Sequence, residues 1–277
     1  MVKKIIACSD IHIRNLKRLE ETYDMLSNFI EKCFQFKNEN LLQTEEMRIV
    51  VAGDIFENKI TVSNEANLAA SWFLNKLSEV CKVIVICGNH DFLMNNKARV
   101  DSLTPIISIA NNEEIMYLDA HTEYTSGCII DDNIVWSLFS SFDDFNKPDI
   151  EWLKSQYDDK TYVGLIHADI NGAVSHTNRV TENGLDAGIF EGLDFVIAGH
   201  IHKHQEIKRN GVKAVYCGSL VQQNNGESVF GHGYVVWDVE TQTYELVELP
   251  NTDYGFYKFT IDNETDIEED KEILINI

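Results

Sequence analysis

The chain has 277 residues, 44% of them hydrophobic and 10% aromatic, and 45 Asp plus Glu against 23 Lys plus Arg give a formal charge of −22. Such a composition belongs to a folded chain able to bury a sizeable core, and it excludes fibrous, collagen-like and disordered classes. No apolar run approaches the ~20 residues of a bilayer span, and the acidity opposes loose attraction to a polyanion, which must be gripped locally.

Met1 to Cys8 is too short in its apolar part for an export signal, and residues 3–8 read as a first strand. Residues 16–38 carry Leu16, Leu19, Tyr23, Leu26, Ile30, Cys33 and Phe34 at helical spacing. A strand at 48–52, a helix at 64–80 and a strand at 82–87 complete the βαβαβ rhythm of a layered α/β fold. Further short β-prone segments lie at 114–118, 127–130, 134–139, 162–167 and 195–198. After His200, strands are expected at 212–217, 233–238, 244–249 and 256–261 with little helix between them, as a second sheet packed on the first. Residues 1–249 are expected to form one domain and 250–277 a C-terminal extension, in which the charge run 262–272 is a solvated tail or edge. The six cysteines form no C-x-x-C pair, so reduced, buried thiols and a reducing cytoplasm are expected.

The chemistry-bearing residues fall where strands end: Asp10 and His12, then Asp54, Asn89 with His90 and Asp91, His167, and finally His200 and His202. Ligands of layered α/β folds gather outside the carboxyl ends of strands, so these five loops can converge on one pocket. Asp10, His12, Asp54, Asn89, His167, His200 and His202 are too many ligands for one tetrahedral ion and suit two five- or six-coordinate ions. Imidazole and carboxylate without thiolate fit manganese, iron or zinc, with an oxygen cage needed for magnesium or calcium. Asp54, between the first and third loops, is the natural bridge, each of its oxygens holding one ion. Ile11 and Ile201 are expected to point into the core, their neighbours facing the ions by strand alternation.

Paired divalent ions clamp a phosphoryl oxygen and activate water, so phosphoester hydrolysis is the leading reaction class. With Asn89 a ligand, His90 is free to protonate the leaving oxygen or steady phosphoryl charge, with Asp91 placed to orient its ring. His121, His176, His204 and His232 read as surface or loop residues, of which His176 and His204 are within reach of substrate.

The order Asp-x-His, Gly-Asp, Gly-Asn-His-Asp, His, Gly-His-x-His across residues 10–202 resembles the calcineurin-like metallophosphoesterase superfamily. Within it, Gly53-Asp-Ile-Phe-Glu57, Gly199-His-Ile-His-Lys203, Val215-Tyr-Cys-Gly-Ser-Leu220 and Gly233-Tyr-Val-Val-Trp-Asp238 are most similar to the nuclease subunit of SbcCD-type DNA repair and recombination exonucleases, phage-encoded versions included. The resemblance implies a two-sheet α/β sandwich flanked by helices and a di-manganese site. It gives one ion to Asp10, His12, Asp54 and His202 and the other to Asp54, Asn89, His167 and His200, with His90 assisting catalysis. It further implies manganese-dependent DNA cleavage, a homodimer and an SbcC-type ATPase partner, with 250–277 a remnant of the capping and docking region. His12 is followed by Ile-Arg-Asn where relatives have Leu-Gly. The competing expectation is a phosphatase or phosphodiesterase acting on a small nucleotide or phosphoprotein; Gly53-Asp54 lacks the Asp-Arg-Gly sequel of protein phosphatases. A scaffold without activity is the third reading, opposed by the intact ligand set.

Overall fold

The computed structural model describes residues 1–209 and 211–257. Its elements in chain order are β1 (Lys4–Cys8), α1 (Leu19–Glu39), β2 (Met47–Ala52), α2 (Asn64–Ser78), β3 (Val83–Ile86), α3 (Leu103–Ala110), β4 (Ile115–Tyr117) and α4 (Leu118–His121). They continue with β5 (Gly127–Asp131), β6 (Ile134–Phe139), α5 (Ile150–Gln156), β7 (Thr161–His167), β8 (Phe195–Gly199), β9 (Gln205–Arg209), β10 (Val212–Tyr216), β11 (Gly233–Asp238) and β12 (Thr243–Glu248).

Two six-stranded sheets are formed, in the orders β12-β11-β1-β2-β3-β4 and β5-β6-β7-β8-β10-β9. The first is parallel from β1 to β4 and the second from β6 through β7 and β8 to β10, with antiparallel strands at the edges. The expected α/β sandwich is therefore present, but β11 and β12 correct the expectation for the late strands. They return to the first sheet, β11 pairing antiparallel with β1 from Lys4↔Asp238 to Ala7↔Val235. The expected strand at 256–261 lies at its start outside any strand and from 258 onward outside the described residues, as does the charge run 262–272.

Parallel strands covered on both faces must be apolar on both, and the alternation along β1 divides two cores. Ile5 and Ala7 face the second sheet with Val50, Ile84, Trp136, Val163, Phe195 and Trp237. Ile6 and Cys8 face α1 and α2 with Leu26, Phe29, Ala70 and Phe73. A third cluster, with Ile150, Phe190 and Tyr216, covers the outside of the second sheet. Ser63 caps α2 by accepting from the Ala66 amide at 3.2 Å, which fixes where the chain leaves the β2 loop. All six cysteines are free, five of them buried and Cys128 half-buried. Among the described residues no helix is long and apolar enough to cross a membrane. The described start of the extension lies on α1, where Asn251 Nδ2 donates to Glu21 at 2.7 Å and Tyr254 OH to Asp24 at 2.6 Å.

Candidate metal centre

The carboxyl ends of β1, β2, β3, β7 and β8 meet at one edge of the sandwich. The first two loops are zipped together: Asp10 N–H donates to Gly53 O at 3.1 Å, and the Ile11 and His12 amides donate to Asp54 O at 3.0 and 3.1 Å. The third is drawn in by the His90 amide donating to Asp54 Oδ1 at 2.7 Å. The fifth is held by the His200 amide, 3.0 Å from Asp10 Oδ2. Close approach demands glycine at Gly88, where a β-carbon would stand 2.2 Å from the Asp54 amide nitrogen.

These loops turn by backbone that L-residues seldom adopt. Asp10, His12, Asp54 and His200 have φ of 52°, 51°, 53° and 99°. The two-residue spacing of Asp10 and His12 therefore arises from left-handed turns, which corrects the expectation of strand alternation, although Ile11 and Ile201 are buried as anticipated. Such conformations cost of order 1–3 kcal/mol each and persist where surrounding contacts enforce them.

Among the described residues three donor groups result, one of them His12 with Glu57 and His90 and the other two built from expected ligands alone. Asp10, His12 and His202 form one and Asp54, His167 and His200 the other, each with its donor atoms within 4.8 Å of one another. The Nε2 atoms of His12 and His202 are 3.1 Å apart, and Asp10 Oδ1 is 3.9 and 3.8 Å from them. Asn89 Oδ1 is 2.7 Å from His200 Nδ1 and so joins the second group. Asp54 Oδ2 stands 3.7 Å from His12 Nε2 and 3.1 Å from His167 Nε2, between the groups. Asp54 Oδ1 accepts from the His90 amide, and Oδ2 is the oxygen that faces both groups.

The donor set fits divalent cations on a specific ground. His167 Nδ1 is 2.7 Å from Ala52 O, so it donates there and aims Nε2 inward, 3.1 Å from Asp54 Oδ2; among the described residues that buried Nε2 has no well-aligned hydrogen bond, and a proton or a cation can equally occupy it. Burial disfavours charge on Asp54 and His167 alike, yet each holds the other ionised, so Asp54 titrates well below the ordinary carboxylate range and His167 well above the ordinary imidazole range. Buried carboxylates here require positive charge.

All seven expected donors and His90 thus meet, whereas Asp91 does not take the place foreseen for it. Asp91 is fully buried and accepts from the Phe56 amide at 3.0 Å and the Gly88 amide at 2.9 Å, tying the second loop to the third. The His90 ring is oriented by the carbonyl of Glu57, 2.7 Å from Nδ1. Burial lowers the His90 pKa, only partly offset by Asp54. His232, expected to be a surface or loop residue, lies in the loop before β11 but is buried, with Nδ1 2.9 Å from Ser219 Oγ. Three neighbours had no site role in the sequence analysis: Glu57, 2.8 Å from His12 Nδ1; Glu227, 2.8 Å from His202 Nδ1; and Asp169, 3.4 Å from His200 Nε2. Glu57 alone had a local signal, three residues after Asp54.

Comparison with known proteins gives the centre its context. The family model described as calcineurin-like phosphoesterase matches residues 3–204. Uncharacterized protein R555 of Acanthamoeba polyphaga mimivirus is 34% identical over 262 residues, covering 92% of this chain and 18% of that protein. The chain thus spans less than a fifth of that relative's length. Among solved structures, an archaeal phosphodiesterase matches 89% of this chain and 99% of its own at 15% identity and a TM-score of 0.42. A putative 5'-nucleotidase from Staphylococcus aureus matches 97% and 58% at 13% identity and a TM-score of 0.48. With the strand-end donors, the two sheets and the family match in agreement, the chain belongs to the calcineurin-like phosphoesterases.

Proposed function

We propose that the chain is a two-metal phosphodiesterase acting on DNA, of the SbcD type. The observation that carries this reading is where its SbcD-like segments lie. Residues 215–220 follow the end of the family match, yet they back the centre directly: Ser219 N–H donates to His202 O at 3.0 Å, and Ser9 Oγ donates to Gly218 O at 3.1 Å. Open cavities of about 440 and 310 Å³ flank the centre, one lined by Asn89, His167 and His200 and the other by His202, leaving room for nucleotides on both sides of a scissile bond.

In this reading Asp10, His12, His202 and Asp54 would hold one ion, and Asp54, Asn89, His167 and His200 the other. Two such ions would clamp the phosphate and lower the pKa of the attacking water. Asp10 and Asp54 supply the negative charge that retains the cations. His90 keeps Nδ1–H on the Glu57 carbonyl and would turn Nε2 to the leaving oxygen; its doubly protonated form gives the Nε2 proton and is left neutral with its remaining hydrogen on Nδ1. Manganese, a homodimer and an SbcC-type ATPase partner belong to the same reading.

The test offers the manganese-loaded protein linear double-stranded DNA, single-stranded DNA and a small chromogenic phosphodiester. Cleavage of DNA is expected; turnover of the small ester alone would replace this reading with that of a small-nucleotide phosphodiesterase. His90→Ala should retain both ions and lose roughly 10²–10⁴-fold in DNA cleavage, with a smaller loss on the activated ester, whose leaving group needs no proton. Asp54→Ala should lose metal itself. Full DNA cleavage by both variants would remove the mechanism.

A further inference from the structure

We infer that the cavity on the His202 side of the centre is a nucleobase subsite, receiving the base of a nucleotide next to the scissile phosphate. The inference rests on the DNA reading above and specifies which chemical part of that substrate the protein grips. The cavity measures about 310 Å³, within the range of small-ligand pockets, and opens beside His202. Its walls divide by chemistry. Phe230 and Leu246 supply an apolar side, and Lys203, His204 and His176 a polar one.

Phe230 is 68% exposed, a free aromatic face on a chain whose other large aromatic side chains include the fully buried Phe29, Phe56, Phe73 and Phe195. A base can stack on such a face whatever its identity, because every base has a π-face. On the polar side, His204 Nδ1 lies 2.9 Å from Tyr216 O and donates to it, which leaves Nε2 an acceptor on a ring that lines the cavity. Lys203 reaches only the Asn178 carboxamide, at 3.5 Å, and among the described residues no carboxylate pairs with it. Its ammonium is therefore available to the phosphate that joins the stacked nucleotide to the next. The one carboxylate in the lining, Glu227, is already satisfied by His202 at 2.8 Å, Asn224 at 2.6 Å and the Gln223 amide at 2.8 Å, so it does not repel that phosphate as a bare anion would. An apolar plate, an acceptor and an unpaired cation beside a phosphate-handling centre match a nucleotide, base and phosphate together.

The experiment walks a single abasic sugar along a single-stranded oligonucleotide and measures KM and kcat for wild type, Phe230→Ala and Phe230→Trp, each checked for manganese content. Wild type should show a KM rise of roughly five- to a hundredfold at one position adjoining the cut. Phe230→Ala should show that rise on the intact oligonucleotide and no further rise at the abasic position, and Phe230→Trp should restore binding. An unchanged KM in Phe230→Ala, or a penalty additive with the abasic one, overturns the subsite while the nuclease reading stands. If no DNA is cleaved, that reading fails by itself, and dAMP binding followed by NMR decides the cavity: loss of binding in Phe230→Ala keeps it as a nucleotide site, and no difference removes it.

Discussion

Glu227 does for His202 what the Ala52 carbonyl does for His167: it accepts from Nδ1 and turns Nε2 toward the centre. Removing such a partner typically weakens metal binding 10–100-fold without touching a ligand. Glu227→Ala should therefore bind manganese roughly tenfold or more weakly in a calorimetric titration, and Glu227→Gln, which can still accept from Nδ1, should lose less. Manganese affinity equal to wild type in the alanine variant would deny Glu227 a positioning role. The seven donors were legible because each sits in a short strand-end motif, Asp10 with His12 or His200 with His202. Glu227 was not, because it stands 25 residues beyond its partner in a polar loop and only folding brings them together. The same reason explains Asp91. Its sequence neighbour is His90, but the amides its carboxylate meets belong to Phe56 and Gly88.

Between elements, the clearest polar tie joins the two sheets. Arg48 at the start of β2 holds Asp131 at the end of β5 through Nε at 2.7 Å and Nη2 at 3.0 Å, and Trp136 Nε1 donates to the same carboxylate at 3.1 Å. Arg48 and Asp131 are both buried. Removing Arg48 leaves the buried Asp131 carboxylate with only the more exposed Lys82, 3.6 Å from Oδ1, as a cation, so Arg48→Met should lower unfolding free energy by about 3 kcal/mol, whereas the double variant Arg48→Met with Asp131→Leu should recover much of that loss. A denaturant titration in which the double variant is as weak as the single one would contradict this. The pH dependence has a definite sign. Burial raises the Asp131 pKa, but Arg48 outweighs it and the net shift is downward. The pair's stabilisation is then fully present above the unfolded carboxylate value of ~3.9 and is lost as pH falls through the lower folded value. Wild type should accordingly lose this increment below about pH 4, and the double variant should lack that component of its acid unfolding curve. Strands such as β6 and β11 were legible from their residues alone, since both are apolar runs bounded by polar turns. The polar edge strand β9, of sequence QEIKR, was not, because its order comes from pairing with β10 and not from burial. Nor does any local pattern in β11 say that its partner is β1, more than two hundred residues earlier.

At the scale of the molecule, the centre is a seam. Asp10, Asp54 and Asn89 come from loops of the first sheet and His167 and His200 from the second. Away from the seam the sheets are joined by apolar contact, above all Trp237 of β11 stacked on Phe195 of β8 with ring centroids 4.1 Å apart and an interplanar angle of 13°. Metal binding and core packing should therefore act on one equilibrium, because ions gripped by both sheets favour only the state in which the sheets are docked. Phe195→Ala should cost about 3–5 kcal/mol, as large buried aromatics do. Manganese at a hundred times its Kd should return about 2.7 kcal/mol by mass action, in wild type and variant alike. Denaturant unfolding with manganese and with chelator would measure both increments. In Asp54→Ala the manganese increment should vanish while the Phe195 cost persists, since that variant loses the oxygen that faces both donor groups. An undiminished manganese increment in Asp54→Ala would mean that the ions stabilise the fold from somewhere other than this seam.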